Sequence, residues 1–263
     1  MITIQNYVRA GSLEEAYQLN QDKKNRILGG MMWLKVSAGG AETAIDLCDL
    51  GLDTIEETDE GFSIGAMVSL RQIETHPGLN CYTHGAVADA VKDIVGVQFR
   101  NLATVGGSLW GRFGFSDVLT VFLTMDTYVE LYKGGLVPLE QFASMKTDRD
   151  ILVRLLVKKT PGKFVYQAMR NQRTDFPVLT CAMSEMNGEY RLAVGARPGK
   201  ALILRDEAGI LSGGLTQESA KAFGDYAAEK ISTGNNPRGS AAYRTRLIKT
   251  LTRRCGLALG GMR

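Results

Sequence analysis

The chain is predicted to be an α+β protein. Two small α/β subdomains, 1–53 and 54–160, precede an α+β domain over 161–263 built on a three-stranded antiparallel sheet. Three observations carry this reading. Strand-like and helix-like segments alternate at the start. Hairpin signals replace that alternation from 54 onward. A Thr160-Pro161-Gly162 break then opens a run of strands followed by two helices.

The first subdomain begins with a strand at 2–8. Ser12-Leu13-Glu14-Glu15 is a capping box, so a helix follows to about 22. A strand at 26–28 ends at Gly29-Gly30, and a third is expected at 44–47. This βαβ-like order suits a ligand loop at a strand's carboxyl end. In the second subdomain, 54–58 and 62–67 pair across Asp59-Glu60-Gly61. A second capping box, Ser69-Leu70-Arg71-Gln72, starts a short helix ending near His76-Pro77, and apolar residues recur at helical spacing over 83–94. The pair Gly106-Gly107 reads as a second loop, followed by a helix over 117–125 and strands at 128–132 and 151–157. Beyond the break, strands are expected at 164–169, 178–186 and 190–196. Asn187-Gly188 joins the last two, a strong hairpin signal. Helices at 216–231 and 240–255 complete the chain.

Composition narrows the function classes. With 44% apolar and 22% charged residues in 263, this is an ordinary globular protein. A net charge of +3 with scattered basic residues argues against a nucleic-acid partner. The basic stripe Arg244, Arg246, Lys249, Arg253, Arg254 reads as a solvated or partner-facing helix face. Cys48, Cys81, Cys181 and Cys255 never approach a C-x-x-C spacing, against a zinc or iron–sulfur site in this chain. Without a secretion signal they fit a reducing cytoplasm, and no apolar stretch is long enough to span a bilayer.

The chemistry concentrates at the two glycine pairs. Glycine lets a backbone approach a ligand closely and turn its N–H groups toward an anion. Either pair alone reads as a plain turn at a strand–helix junction. Neither has the lysine and hydroxyl of a P-loop, and a Rossmann G-x-G-x-x-G is missing. Two such loops could instead converge on the two phosphates of one dinucleotide. Thr104 and Ser108 add hydroxyl groups, and Asp117 could accept from sugar hydroxyls. His76 and His84 read as capping or surface groups.

At these residues the chain resembles the FAD-binding subunit of the xanthine dehydrogenase and carbon monoxide dehydrogenase family of molybdenum hydroxylases. The resemblance lies in Gly29-Gly30-Met31-Met32-Trp33-Leu34-Lys35, and in Gln98-Phe99-Arg100-Asn101-Leu102-Ala103-Thr104-Val105-Gly106-Gly107-Ser108-Leu109 with Asp117 beyond. It continues in Tyr166-Gln167-Ala168-Met169-Arg170 and in Arg238-Gly239-Ser240-Ala241-Ala242-Tyr243-Arg244. It implies a bipartite FAD-binding (PCMH-type) fold with a smaller C-terminal domain. Arg26, Ile27, Leu28, Gly29, Gly30, Met31, Met32 and Trp33 would wrap the pyrophosphate and adenine side. Ala103, Thr104, Gly106, Gly107 and Ser108 would line the second loop, with Gly111 nearby. Asp117 would meet ribityl or sugar hydroxyls, Leu152 would pack near the adenine, and Tyr166 would stand where relatives often carry a lysine beside the flavin.

The implied role is electron relay with no catalytic acid, base or nucleophile. An iron–sulfur subunit would feed electrons to FAD, a molybdopterin-binding subunit would carry the substrate chemistry, and NAD⁺ or another molecule would take the electrons. Two departures matter: Met31 and Met32 replace a hydroxyl and an acidic residue of relatives, and Tyr166 replaces the lysine. They leave open a non-catalytic assembly subunit with a degenerate flavin site. A stand-alone flavin oxidoreductase is disfavoured, since the chain shows no recognisable nicotinamide site.

Overall fold

In the computed structural model, which describes residues 1–262, the chain opens with strand β1 (Thr3–Arg9), helix α1 (Leu13–Asn20), β2 (Arg26–Leu28) and β3 (Gly40–Asp46). Ser12 caps α1 as expected, its hydroxyl accepting from the Glu15 N–H at 3.1 Å. The Glu15 carboxylate, however, reaches back to the Gly11 N–H rather than to that of Ser12. The acidic hairpin follows as β4 (Ile55–Glu57) and β5 (Gly61–Gly65), and then α2 (Leu70–Thr75). Here the capping box is complete: Ser69 Oγ accepts from the Gln72 N–H, and Gln72 Oε1 accepts from the Ser69 N–H at 2.8 Å.

Five short helices come next: α3 (Pro77–Tyr82), α4 (Ala86–Val91), α5 (Val97–Leu102), α6 (Val105–Trp110) and α7 (Asp117–Phe122). Two expectations are corrected here. The periodic stretch 83–94 is not one helix, because His84 and Gly85 both take positive φ and break it. Gly106 and Gly107 are not in a loop but in the first turn of α6. Tertiary packing overrides their poor helix propensity: a Cβ on Gly106 would sit 2.6 Å from the Ala66 carbonyl oxygen. His76 caps α3, its Nδ1 accepting from the Leu79 N–H.

The chain continues through β6 (Thr127–Leu131), β7 (Gly135–Pro138), α8 (Leu139–Ser144) and β8 (Leu152–Lys158). It ends with β9 (Gly162–Arg170), β10 (Pro177–Met186), β11 (Glu189–Gly195), β12 (Leu202–Arg205), α9 (Gln217–Lys230) and α10 (Ala241–Leu259).

These elements pack as two units. The first comprises Met1–Ile73, Val97–Gly111 and Thr127–Lys158. It holds a parallel sheet in the order β1-β3-β2 and an antiparallel sheet in the order β4-β5-β8-β6-β7. Ala16 of α1 and Ile45 of β3 share a core with Leu47, Ile151 and Val153, which ties the start of β8 to the parallel sheet. That contact positions the site described below.

The second unit comprises Glu74–Gly96, Arg112–Asp126 and the chain from Lys159 onward. Its sheet has four strands, β12-β11-β10-β9, not three. The missed strand is β12, which pairs with β11 through only four residues at the sheet edge. Helices α9 and α10 cover this sheet with Phe223, Leu247 and Leu251, over Cys181 and Leu192. Arg244 of α10 is fully buried, with no carboxylate partner among the described residues. Its guanidinium donates instead to the carbonyls of Val178, Ala196, Gly234 and Gly239 and to Asn236 Oδ1. Such a set of acceptors is what a buried guanidinium requires. Among the described residues, no helix is long and apolar enough to cross a membrane.

Candidate cofactor site

The two glycine segments meet within the first unit. A Cβ on Gly29 would lie 2.9 Å from Thr104 Oγ1 and 3.8 Å from the Gly107 Cα. One on Gly30 would fall 1.8 Å from the Leu102 carbonyl oxygen, inside its van der Waals radius. Glycine is therefore enforced at this junction by direct backbone–backbone contact. The end of β2 and the start of α6 form one surface.

The segments differ in what their backbones can offer. In the second, the N–H groups are consumed internally. Val105 donates to the Val68 carbonyl and Gly106 to that of Ala66, each at 2.8 Å, and Ser108 donates to that of Thr104 at 3.0 Å. Gly107 donates to the capping Thr104 Oγ1 at 3.1 Å. The Ser108 hydroxyl also turns inward, to the Thr104 carbonyl at 2.9 Å. In the first segment the opposite holds. The N–H groups of Gly30, Met31 and Met32 donate to no protein acceptor among the described residues. Met31 takes φ 58°, a left-handed conformation unusual for a bulky side chain, so the chain turns sharply after the glycine pair.

A cavity of about 560 Å³ opens beside this junction, within the range of small-molecule sites. Of the residues anticipated from sequence, Arg26, Ile27, Leu28 and Gly29 line one side, and Thr104, Gly106 and Gly107 another. Leu152, at the start of β8, also lines it. Gly30, Met31, Met32, Trp33, Ala103, Ser108 and Gly111 are not in its lining. Trp110 contributes an aromatic wall, backed by Phe142 at a ring separation of 6.0 Å.

A further part of the lining was not anticipated. It is made by the turn after α1, with Asn20, Lys23 and Asn25, and by the segment from Thr147 to Ile151. Arg149 binds these together. Its side chain donates to the carbonyls of Asn20, Asp22 and Asn25, and Asn20 Nδ2 returns a bond to the Arg149 carbonyl at 2.8 Å. Arg26 donates to the carbonyls of Lys23 and Asn25. Burial, and behind it the Arg26 charge, lowers the pKa of the Arg149 guanidinium.

Asp117 and Tyr166 lie in the second unit and are bound to each other. Asp117, the first residue of α7 after the Ser116 cap, is buried. Its Oδ1 accepts from the Tyr166 hydroxyl and from Arg170 Nη2 at 2.6 Å. Burial pushes its pKa up to about 6, although Arg170 and Tyr166 both favour the charged form. Tyr166 on β9 has its own pKa raised well above the usual value by burial and by Asp117. A buried cation, Arg170, lies four positions further along β9 and pairs with the same carboxylate.

The chain is similar to known proteins. A family described as "FAD binding domain in molybdopterin dehydrogenase" matches residues 2–159. A second, described as "CO dehydrogenase flavoprotein C-terminal domain", matches residues 164–259. The nicotine 6-hydroxylase medium subunit of Paenarthrobacter nicotinovorans is 28% identical, with 94% of each chain covered. The glyceraldehyde dehydrogenase medium chain of Sulfolobus acidocaldarius is 23% identical, covering 94% of this chain and 95% of the relative. Among solved structures, a carbon monoxide dehydrogenase from Hydrogenophaga pseudoflava superposes with a TM-score of 0.86 over 97% of both chains at 22% identity. Quinoline 2-oxidoreductase from Pseudomonas putida 86 gives 0.84 over 98% of both at 20% identity. These two likenesses are of fold.

Proposed function

We propose an electron-transfer role for this chain, which belongs to the family of FAD-binding domains of molybdopterin dehydrogenases and is the FAD-binding medium subunit of a molybdenum hydroxylase complex. Its partners are an iron–sulfur subunit and a molybdopterin-binding subunit. FAD, when bound, supplies the chemistry of taking electrons from the iron–sulfur partner and handing them to NAD⁺ or another acceptor. Residues 1–160 carry the cofactor and 161–263 form the family's C-terminal domain.

The observation that carries this reading is the meeting of the two glycine segments at one cavity. The cofactor fits there by chemistry. Three backbone N–H groups, those of Gly30, Met31 and Met32, are available to a diphosphate immediately beyond the cavity's Gly29 edge. Thr104, Gly106 and Gly107 present no side-chain bulk beyond one hydroxyl, so the ligand backbone can pass close to them. Ile27, Leu28 and Leu152 give an apolar surface for a planar ring, with Arg26 beside it. Trp33 and Ser108 would flank the diphosphate, and Ala103 and Gly111 would shape the same segment. Within the second unit, Asp117 Oδ1 is held by the Tyr166 hydroxyl and by Arg170.

The test is the purified chain's visible spectrum, with the released flavin identified by mass. Oxidised-flavin bands and a mass of FAD are expected. A folded, colourless protein that takes up no added FAD would overturn the reading in favour of an assembly subunit.

A further inference from the structure

α1 ends on Asn20 with no basic residue in its last turn. The final carbonyls of a helix need donors, and a cation there also offsets the negative end of the helix dipole. Local residues serve three of these carbonyls: the Gln21 N–H donates to Gln18, Gln21 Nε2 to Tyr17 at 2.9 Å and Asn25 Nδ2 to Leu19 at 2.8 Å. The Asn20 carbonyl and the missing cation are both served by Arg149, 129 residues away. Its Nε donates to the Asn20 carbonyl, and Nη2 reaches Asn20 Oδ1 at 3.3 Å, the Asp22 carbonyl at 2.5 Å and the Asn25 carbonyl at 3.0 Å. The bond is returned by Asn20 Nδ2 and by Gln21 Nε2, at 2.8 and 3.1 Å, both to the Arg149 carbonyl. Two stretches that share no sheet pairing are thereby closed into one wall of the cavity.

Only a planar, forked donor can serve three carbonyls that converge from a single turn. A lysine ammonium is a point charge on a flexible stem and does not hold that geometry. Next to this wall, Asp150 is fully engaged in the same way, its carboxylate accepting from the N–H groups of Lys133, Gly134 and Ile151. Arg149 and Asp150 are thus both spent on backbone, which ties the segment that carries them to its neighbours.

The wall lines the same cavity as the glycine junction. With the diphosphate at that junction, the half of the ligand that enters the cavity would meet the wall that Arg149 builds. A flavin ring that exchanges electrons with another protein keeps an edge accessible, whereas the nucleoside half does no chemistry and tolerates enclosure. We infer that Arg149 is a positioning residue for the nucleoside half of FAD: it holds the turn after α1 against the start of β8, and so builds the pocket that makes this site select a dinucleotide over FMN. This rests on the FAD reading above.

The test titrates apoprotein of the full chain with FAD, ADP and FMN, for the wild type, Arg149→Ala and Arg149→Lys, beside ligand-free thermal melts. Wild type should bind FAD and ADP. Both variants should lose at least tenfold in affinity for each of these two, by similar factors, with any FMN binding unmoved. Unchanged ADP and FAD affinities, or equal losses for FAD and FMN alongside a lowered melting temperature, would overturn the inference and leave Arg149 a stabilising strut. If Arg149→Ala does not fold, the same comparison is read from Arg149→Lys, which keeps the charge. A wild type that binds none of the three would instead refute the FAD reading itself.

Discussion

Gly30→Ala is the most discriminating single change at the junction. The added methyl carbon would lie 1.8 Å from the Leu102 carbonyl oxygen, 2.5 Å from its carbon and 2.8 Å from the Ala103 Cα. Ordinary contact begins near 3.4 Å, so the segments must separate by roughly 1.6 Å. Every opposing atom is backbone, and Leu102 is the last residue of α5 while the Ala103 carbonyl accepts from the Leu70 N–H at 2.8 Å. No rotamer change relieves the clash. Overpacking of this kind costs about 1–3 kcal/mol where side chains give way, and the upper end or more is expected here. Gly107→Ala is the control. Its methyl would meet only Thr104 Oγ1, at 3.1 Å, and alanine gains about 1 kcal/mol over glycine inside a helix. Urea unfolding should show a loss of about 3 kcal/mol for Gly30→Ala and less than about 1 kcal/mol for Gly107→Ala. Flavin content should fall in both, since Gly107 lines the cavity. A Gly30→Ala protein with wild-type stability and full flavin content would refute the claim that the two segments are in contact around the ligand.

Two further predictions follow. Met31 sits at φ 58°, a conformation that costs an L-residue roughly 1–2 kcal/mol but that asparagine tolerates. Met31→Asn should therefore be as stable as wild type or up to about 1 kcal/mol more so, with FAD affinity within about twofold; a tenfold loss would make the thioether a binding group and the backbone argument wrong. Burial raises the folded-state pKa of Asp117 to about 6 from the ordinary aspartate value of 3.8, so the folded protein holds its proton more tightly than the unfolded chain. The stabilisation from that proton is fully present below about pH 4 and is lost as pH rises through 6. Unfolding of wild type and Asp117→Asn across pH 4–7.5 should show wild type losing up to about 3 kcal/mol relative to the variant over that window. A pH-independent difference would show that Arg170 and Tyr166 outweigh burial.

Much of the fold was legible because local chemistry agreed with the tertiary outcome. Ser12 and Ser69 each cap the helix expected of them, and the helix expected over 216–231 forms with Thr216 as its cap. Asn187 and Gly188, at φ 51° and 80°, make the hairpin turn between β10 and β11. What was missed has physical causes. β7 and β12 are short edge strands of four residues each, too brief for alternation to register. Gly106 and Gly107 signalled a loop, since local propensity cannot report the close approach of Ala66 that makes glycine necessary within a helix. Nor does any neighbouring residue mark Arg149, whose role depends wholly on a turn far away in sequence.

The site also explains why Met31 and Met32 are compatible with a working flavin subunit. Had the second segment supplied the anion's donors, losing a hydroxyl and an acidic side chain from the first would matter little, but its Val105, Gly106, Gly107 and Ser108 N–H groups are already spent, on the Val68, Ala66 and Thr104 carbonyls and the Thr104 hydroxyl. Its contribution is space and packing. On the proposed reading the first segment would supply the donors, through N–H groups that no side-chain replacement removes. What constrains positions 31 and 32 is the path of the backbone, set by the packing of Gly29 and Gly30 upstream and by the Lys35 N–H donating to the Met31 carbonyl at 3.0 Å downstream. Methionine, unbranched and apolar, meets that requirement without competing for the donors. Degeneration of the flavin site would be expected to show at Gly29, Gly30, Gly106 or Gly107, where bulk cannot be accommodated or would enter the cavity, and all four are glycine.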